Sequence, residues 1–343
     1  IYVLPPAGGT PRLLLDNAAD PRVVSSGHLL FVRTGVLMAV RFDPRALQVA
    51  GAPVAVVQDV MQSGGTMIPV SNSSAAQFDV SDAGSLVFAS GGVPPPANTR
   101  LHWLYPSGRS EPIDEPGREL LSPRLSHDGK GIAVAQFGGA KQPLRLYDVD
   151  GGLWTSWGGL AGQVAFPVWT PDGQVAFNWF TNGSSGIHIG RPDGTALREV
   201  TAGPRPRIPS DVSSDGKWLA FVESFTPTVL DTWVMPVDGS APPRLLIRGS
   251  FGPTFSPDGN WIAYSSAMSG EEELYVDAFP GLGMRKQVSS GGGTNPLWAP
   301  DGRTLYYIKV PLRPDAMMMA VPIQPGSPLG VGAPRALVRF PFL

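Results

Sequence analysis

The 343-residue sequence contains no cysteine. Disulfides, thiolate metal sites and cysteine nucleophiles are therefore excluded. Histidine is scarce: His28, His102, His127 and His188 are the whole set, and no two stand at a metal-ligand spacing. No apolar run approaches the roughly 18 residues of a membrane span. There is no secretory leader at Ile1, and the absence of an initial Met is expected of a fragment or a processed product. No basic run is present either. Lys and Arg number 26 against 28 Asp and Glu, a net charge of −2, so a nucleic-acid groove lacks electrostatic support. Nor does a Gly-x-Ser-x-Gly nucleophile elbow occur; Gly183-Ser-Ser-Gly186 is one residue short and reads as a linker between strands.

What is abundant is glycine and proline, 42 and 37 residues, close to a quarter of the chain. That composition borders on disorder. The 42% hydrophobic content and nine tryptophans argue instead for a packed core. Together they predict many short strands joined by tight turns.

A repeat organises those turns. Ser-Pro-Asp-Gly at 256–259 recurs as Ser126-His-Asp-Gly129, Thr170-Pro-Asp-Gly173, Ser213-Ser-Asp-Gly216 and Ala299-Pro-Asp-Gly302. Weaker copies are Ser81-Asp-Ala-Gly84 and Val24-Ser-Ser-Gly27. The glycines at 27, 84, 129, 173, 216, 259 and 302 settle to a constant interval of 43 over the last four copies. Such a period fits one four-stranded propeller blade per repeat. Each residue suits its turn position: Ser opens it, Pro presets φ, Asp bonds locally, and Gly takes the positive φ. Before the turn stands a short apolar strand, as in Pro-Thr-Phe (253–255). After it comes a second, as in Trp-Ile-Ala-Tyr (261–264). A third strand ends in a further Asp-Gly turn, as in Thr232–Val237, and a fourth closes the unit.

The fold expected is therefore all-β: a β-propeller of four-stranded antiparallel blades, seven in number, or eight with one incomplete. It is read as a single domain over 1–343, with blades near 20–57, 76–115, 120–158, 164–201, 207–248, 250–289 and 293–340. Residues 1–15 match 232–247 and form a half-blade. The extra length between Gly27 and Gly84 is assigned to a long loop over 58–76.

These residues resemble the TolB-type propeller repeat. Phe255–Ser266, Glu273–Gly281, Gln287–Trp298 and Ser26–Asp43 further resemble the C-terminal propeller attached to bacterial serine/threonine protein kinases. That resemblance implies a sensor or binding module, extracytoplasmic by preference. The kinase residues themselves, a glycine-rich loop, His-Arg-Asp and Asp-Phe-Gly, are absent from the sequence. The expectation is a chain with no catalytic site, no cofactor and no metal. Its partners would be a protein, a peptide or a small ligand, with no nucleic acid.

Two groups of residues are candidates for binding. Five residues before each turn glycine, near the start of the innermost strand, stand Arg22, Asp79, Arg124, Val168, Asp211, Thr254 and Leu297. Their polar members, Arg22, Asp79, Arg124, Asp211 and Thr254, form either a structural ring of salt bridges or a polar funnel for a ligand or a partner's side chain. The second group is Phe137, Trp179, Phe180 and Phe225, in or beside loops at 90–100, 136–143, 179–186, 223–231 and 309–316. Trp169, Trp218, Trp261 and Trp298 are assigned to the core between blades. Glu271-Glu-Glu273 reads as a solvated loop and a poor calcium site, since three adjacent acids cannot converge on one ion. The rival functional class is the propeller of a hydrolase or lyase; a third reading is a TolB-like assembly scaffold.

Overall fold

The computed structural model describes residues 1–4, 10–62, 76–81, 85–90, 101–105, 109–113, 119–137, 143–157, 160, 162–181, 184–203, 205–226, 229–312 and 315–341. The chain divides into two compact units, Ile1–Ala97 and Asn98–Leu343.

In the first unit, β1 (Tyr2–Val3) and β2 (Arg12–Leu13) form a two-stranded antiparallel sheet. A four-stranded sheet follows in chain order: β3 (Ala19–Val24), β4 (His28–Arg33), β5 (Val36–Asp43) and β6 (Gln48–Val57). The half-blade is tied to its neighbour through its core: Ile1 and Leu14 pack against Leu15, Leu29, Phe31 and Val40. A hairpin of β7 (Phe78–Val80) and β8 (Leu86–Phe88) completes the unit. Most of the expected 58–76 loop lies outside the described residues.

The second unit opens on a hairpin of β9 (Leu101–Leu104) and β10 (Ser110–Ile113). Four sheets then follow, each with its strands in chain order. They are β11 (Glu119–Leu125), β12 (Gly131–Phe137), β13 (Leu144–Asp148) and β14 (Leu153–Ser156); then β15 (Gln163–Trp169), β16 (Val175–Thr181), β17 (Ser184–Gly190) and β18 (Arg198–Gly203). Next come β19 (Arg207–Val212), β20 (Trp218–Thr226), β21 (Val229–Pro236) and β22 (Arg244–Ile247); then β23 (Ser250–Phe255), β24 (Trp261–Ser266), β25 (Glu273–Ala278) and β26 (Lys286–Gln287). The last sheet holds β27 (Thr294–Trp298), β28 (Thr304–Leu312), β29 (Asp315–Gln324), β30 (Gly330–Val331) and β31 (Arg335–Pro341), with β31 also paired to β29. Every pairing in the molecule is antiparallel, among the described residues.

The repeated turn behaves as its sequence dictates. In the β23–β24 turn the Ser256 hydroxyl donates to Asp258 and accepts from the Trp261 N–H at 2.9 Å, while the Gly259 N–H closes on the Ser256 carbonyl at 2.9 Å. Ser126 and Ser213 repeat the network, and Thr170 does the same with its own hydroxyl. The glycines sit at φ between 67° and 78°, where a side chain would be strained. Even the worn copy at 24–27 turns here, with Gly27 N–H to the Val24 carbonyl at 3.1 Å. Asp82–Gly84 of the copy at 81–84 lie outside the described residues.

Apolar residues fill the space between successive sheets rather than one central core. Trp157, Trp169 and Phe177 pack with Ala133 and Leu146 across the first two four-stranded sheets of the second unit. Trp261 and Trp298 pack with Leu305 and Val321 across the last two. The four tryptophans occupy two positions rather than a single register: Trp169 and Trp298 end a first strand, whereas Trp218 and Trp261 begin a second.

The loops expected at 179–186, 223–231 and 309–316 are largely strand. The β16–β17 ladder runs on from Trp179↔Gly186 to Thr181↔Ser184, and β20–β21 continues to Thr226↔Val229. The Ser, Thr and Gly residues that suggested loops are tolerated because they pair in an extended hairpin. Residues 91–100 and 138–142, from the other two expected loops, lie outside the described residues.

Candidate binding site on the inner strands

The first strands of successive sheets in the second unit stand side by side: β11 by β15, β15 by β19, β19 by β23, and β23 by β27. In that arrangement one residue of each first strand lands at the same level. Arg124, Val168, Asp211 and Thr254 face Ala133, Ala176, Ala220 and Ala263 of the second strands; Leu297 faces Tyr306. The four alanines are fully buried. In the first unit Arg22 faces Leu30 and Asp79 faces Val87.

A bulge precedes this level in every sheet that reaches it with four strands or more. The register slips between Ala19 and Arg22, Leu121 and Arg124, Ala165 and Val168, Pro209 and Asp211, Phe251 and Thr254, and Thr294 and Leu297. Two residues before the level the backbone is left-handed: Asp20 (φ 52°), Ser122 (55°), Phe166 (54°), Gly252 (59°) and Asn295 (54°). Each of these is followed by proline: Pro21, Pro123, Pro167, Pro253 and Pro296. Proline removes a ladder donor, so a bulge is where a strand tolerates it, and bulges re-aim the side chains that follow. Pro209 stands at the corresponding place in β19, where its ring forbids a positive φ. The prolines are visible in the sequence. The left-handed residue before them is not, because only Gly252 and, more weakly, Asn295 and Asp20 are residue types that favour it.

Side-chain chemistry then divides the row. Asp211 is a brace. Its Oδ2 accepts from the Thr254 hydroxyl at 2.8 Å and the Phe255 N–H at 2.7 Å, and its Oδ1 accepts from the Val212 N–H at 2.9 Å. It thereby links two neighbouring sheets and joins two of the expected site residues directly. Burial pushes its pKa up, against those hydrogen bonds and the attraction of Arg124. Arg124 is held differently. Its carbonyl accepts the Trp169 indole N–H at 2.9 Å from the next sheet. Trp298 repeats that bond to the Thr254 carbonyl at 3.3 Å. The Arg124 guanidinium makes no hydrogen bond and no ion pair with any described residue and keeps exposed surface. The mass of protein around it lowers its pKa, and the charge of Asp211 works the other way. Within 98–343 no ion pair joins Arg124 to Asp211, so these two make no link of a salt-bridge ring.

The remaining candidates fall elsewhere. Arg22 pairs with Asp20 at 2.5 Å and lies over the Phe78 ring at 5.7 Å. The exposed Asp79 accepts from the Val80 N–H at 2.9 Å, as Asp211 does from Val212. Trp179 and Phe180 are half-buried in β16, and Trp179 meets the His188 ring edge-on at 4.9 Å. Phe137 and Phe180 hold equivalent places, each opposite the first residue of its sheet. Phe225 lies near the end of β20; the side chains of Phe137 and Phe225 are outside the described residues.

The acidic run reads differently from the sequence expectation. Glu273 is not in a solvated loop. It opens β25, is buried, and accepts from the Ser289 hydroxyl and from the N–H groups of Gly291 (2.8 Å) and Gly292 (3.2 Å). Gly291 and Gly292, both at positive φ, curl the backbone so that successive N–H groups converge on one anion. The signal was the Ser-Ser-Gly-Gly-Gly run at 289–293, which lies far from the acid in sequence. Asp277 is likewise filled, by the N–H groups of Ala278, Gly283 and Met284, all at 2.9 Å. Glu223 takes Arg207 at 2.9 Å, and Arg207 reaches back to the Ala202 carbonyl of the preceding sheet at 2.9 Å. No group of three metal-ligating side chains converges among the described residues.

Sheets of this kind, with first strands side by side, cores between sheets and turns in repeat register, define a β-propeller. Comparison with known proteins gives that class its nearest description. No protein-family model matches the chain. A TolB homolog from Chlorobium luteolum is 30% identical over 104 residues, 30% of this chain and 24% of that protein. The Tol-Pal system protein TolB of Desulfotalea psychrophila is 41% identical over 54 residues, 15% of this chain and 12% of that one. The matches thus span a quarter or less of these relatives. Among solved structures, a putative TolB from Agrobacterium tumefaciens has a TM-score of 0.57 at 20% identity, covering 68% of this chain and 86% of that chain. TolB from Acinetobacter baumannii has a TM-score of 0.51 at 18% identity, covering 60% and 53%. The fold is a TolB-like β-propeller.

Proposed function

We propose that the chain is a non-catalytic binding scaffold, which takes a protein, a peptide or a small ligand on the face formed by its inner strands, outside the cytoplasm. The observation that carries this reading is the inner-strand row: a bulged level at which the exposed Arg124 meets no ion-pair partner among the described residues. The other buried acids described above are committed to backbone N–H groups and arginines that hold the fold. The TolB relatives support an assembly role, since one of them is named as a component of the Tol-Pal system. The resemblance of Ser26–Asp43, Phe255–Ser266, Glu273–Gly281 and Gln287–Trp298 to kinase-attached propellers supports a place as the sensing part of a larger envelope protein.

The test uses a photocrosslinking amino acid at Leu297, an exposed row position, and at Leu153, equally exposed on the outer strand β14. Adducts formed in cells from position 297 and not from 153 support the reading. Equal labelling, or turnover of peptide or glycan substrates by the purified chain, overturns it.

A further inference from the structure

The sequence holds eight Asp-Gly pairs, beginning at 128, 150, 172, 193, 215, 238, 258 and 301. Glycine has no side chain to keep its backbone nitrogen away from the preceding aspartyl carboxyl, so the two can react with each other. In seven of the pairs, all but the one at 150, the glycine N–H donates to the carbonyl three residues before it at 2.8–3.1 Å. The carboxylates of the same seven are held too. Each accepts a hydrogen bond of 2.7–3.1 Å from the residue two positions on. Both groups must give up a bond before they can meet. Asp150-Gly151, in the β13–β14 turn, lacks both ties. No described residue donates a hydrogen bond to the Asp150 carboxylate, which is 73% exposed with Lys130 at 3.8 Å. The Gly151 N–H shares Asp148 Oδ1 with the Asp150 N–H, at 3.2 and 3.1 Å. The bond that closes this turn has moved one residue on, to Gly152, whose N–H reaches the Asp148 carbonyl at 2.9 Å. Asp148 is moreover a base that can take the Gly151 proton.

We propose that Asp150-Gly151 is a site of spontaneous covalent modification, the one Asp-Gly pair that the fold leaves free to form isoaspartate. The Gly151 nitrogen attacks Cγ of the protonated Asp150 carboxyl. A C–N bond forms, and the nitrogen's proton leaves with the carboxyl hydroxyl as water, Asp148 relaying the proton. The succinimide so formed takes up water at the Asp150 main-chain carbonyl carbon, where its C–N bond breaks. The chain then runs through Cγ, one methylene longer, and the main-chain carboxylate stands free. One water leaves and one enters, so nothing is oxidised or reduced and no co-reactant is consumed. The free carboxylate beside a β-linked peptide bond is the class of group that carboxyl-methylating repair enzymes accept, with S-adenosylmethionine as methyl donor. The added methylene falls next to the ladder pair Asp148↔Leu153, which starts the outer hairpin. The site is independent of the binding reading above.

The test holds the full 343-residue chain at physiological temperature and mildly acidic pH, in water enriched in heavy oxygen. Each isomerised residue gains one heavy oxygen atom. Chymotrypsin, cutting at Tyr147 and Trp154, separates Asp150 from Asp172 and from Asn182-Gly183, which lies outside the described residues. Electron-transfer fragmentation in the mass spectrometer then tells isoaspartate from aspartate at each site. In the folded chain, conversion at 150 should outrun each of the other seven sites by about tenfold or more, the weight of one hydrogen bond that those sites must break. In urea the eight rates should converge, because the reacting dipeptide is the same and its protection comes from the fold. Equal rates at the eight sites of the folded chain, faster conversion at any site other than 150, or a preference for 150 that persists undiminished in urea overturns the proposal. So does a folded chain in which 150 stays unconverted while the unfolded chain reacts at all eight.

Discussion

Replacing Ser256 by alanine removes one hydroxyl that serves two partners. It donates to Asp258 and accepts from the Trp261 N–H at 2.9 Å. The two losses differ in weight. Asp258 is exposed, so water replaces its lost bond and the charge-assisted gain is heavily screened. The Trp261 N–H belongs to a tryptophan only 4% exposed, and an orphaned buried donor costs about 1–3 kcal/mol. The expected loss is therefore about 2 kcal/mol, or roughly 4–8 °C in the melting temperature of a unit of this size. The sequence supplies its own control. Thr170 performs the same task in the β15–β16 turn, so Ser256→Thr should cost much less than Ser256→Ala. The β27–β28 turn supplies the converse, because Ala299 stands where the turns at 126, 170, 213 and 256 carry a hydroxyl. Ala299→Ser should raise the melting temperature by roughly half of what Ser256→Ala removes. Differential scanning calorimetry of the three variants measures all of this. Equal destabilisation by Ala and Thr at 256, or a drop with Ala299→Ser, would refute the hydroxyl argument.

Acid should attack the same turns. Hydrogen bonds to Ser213 and Lys217 bring the Asp215 pKa down from 3.8 to about 2, and Asp128 and Asp172 shift the same way. A depressed folded pKa stabilises fully above the unfolded value, so stability should fall as pH drops from about 4 toward 2, and Ser213→Ala should flatten that limb in acid titration by circular dichroism. Trp169→Phe deletes the bond to the Arg124 carbonyl while keeping an aromatic ring; about 1 kcal/mol of stability should be lost in urea unfolding. Glu273→Ala should destabilise by about 3 kcal/mol through its stranded N–H donors, whereas the exposed Glu271→Ala should stay within about 0.5 kcal/mol; similar values for the two would restore the solvated-loop reading. Ser122→Val should cost about 1–2 kcal/mol more than Ser122→Gly, because a β-branched side chain resists φ 55°.

The turns, the four-stranded sheets and the tryptophan cores could be read from the sequence because each is a local chemical requirement repeated at one interval. The level of Arg124, Asp211 and Thr254 was legible for the same reason, as a fixed distance from each turn glycine. Its internal wiring was not. The bond from Thr254 to Asp211 joins residues 43 apart, and no local rule distinguishes a brace from a free charge. Glu273 was misread because its partners sit at 289–292, across a strand pairing that its immediate neighbours do not announce. The hairpins at 179–186 and 223–231 looked like loops because polar residues in a well-paired strand leave the same local trace as a turn.

At Arg124, holding and presenting are assigned to different parts of one residue. The carbonyl is gripped by Trp169 of the next sheet, and Thr254 is gripped the same way by Trp298. Neither bond depends on which side chain the residue carries. The row already holds a guanidinium, an isopropyl, a carboxylate, a hydroxyl and an isobutyl group on the first strands of five successive sheets. Specificity can therefore be rewritten at a position such as 124, whose side chain braces nothing, much as movable type is reset in a fixed frame, whereas Asp211 and Thr254 are committed to joining two sheets.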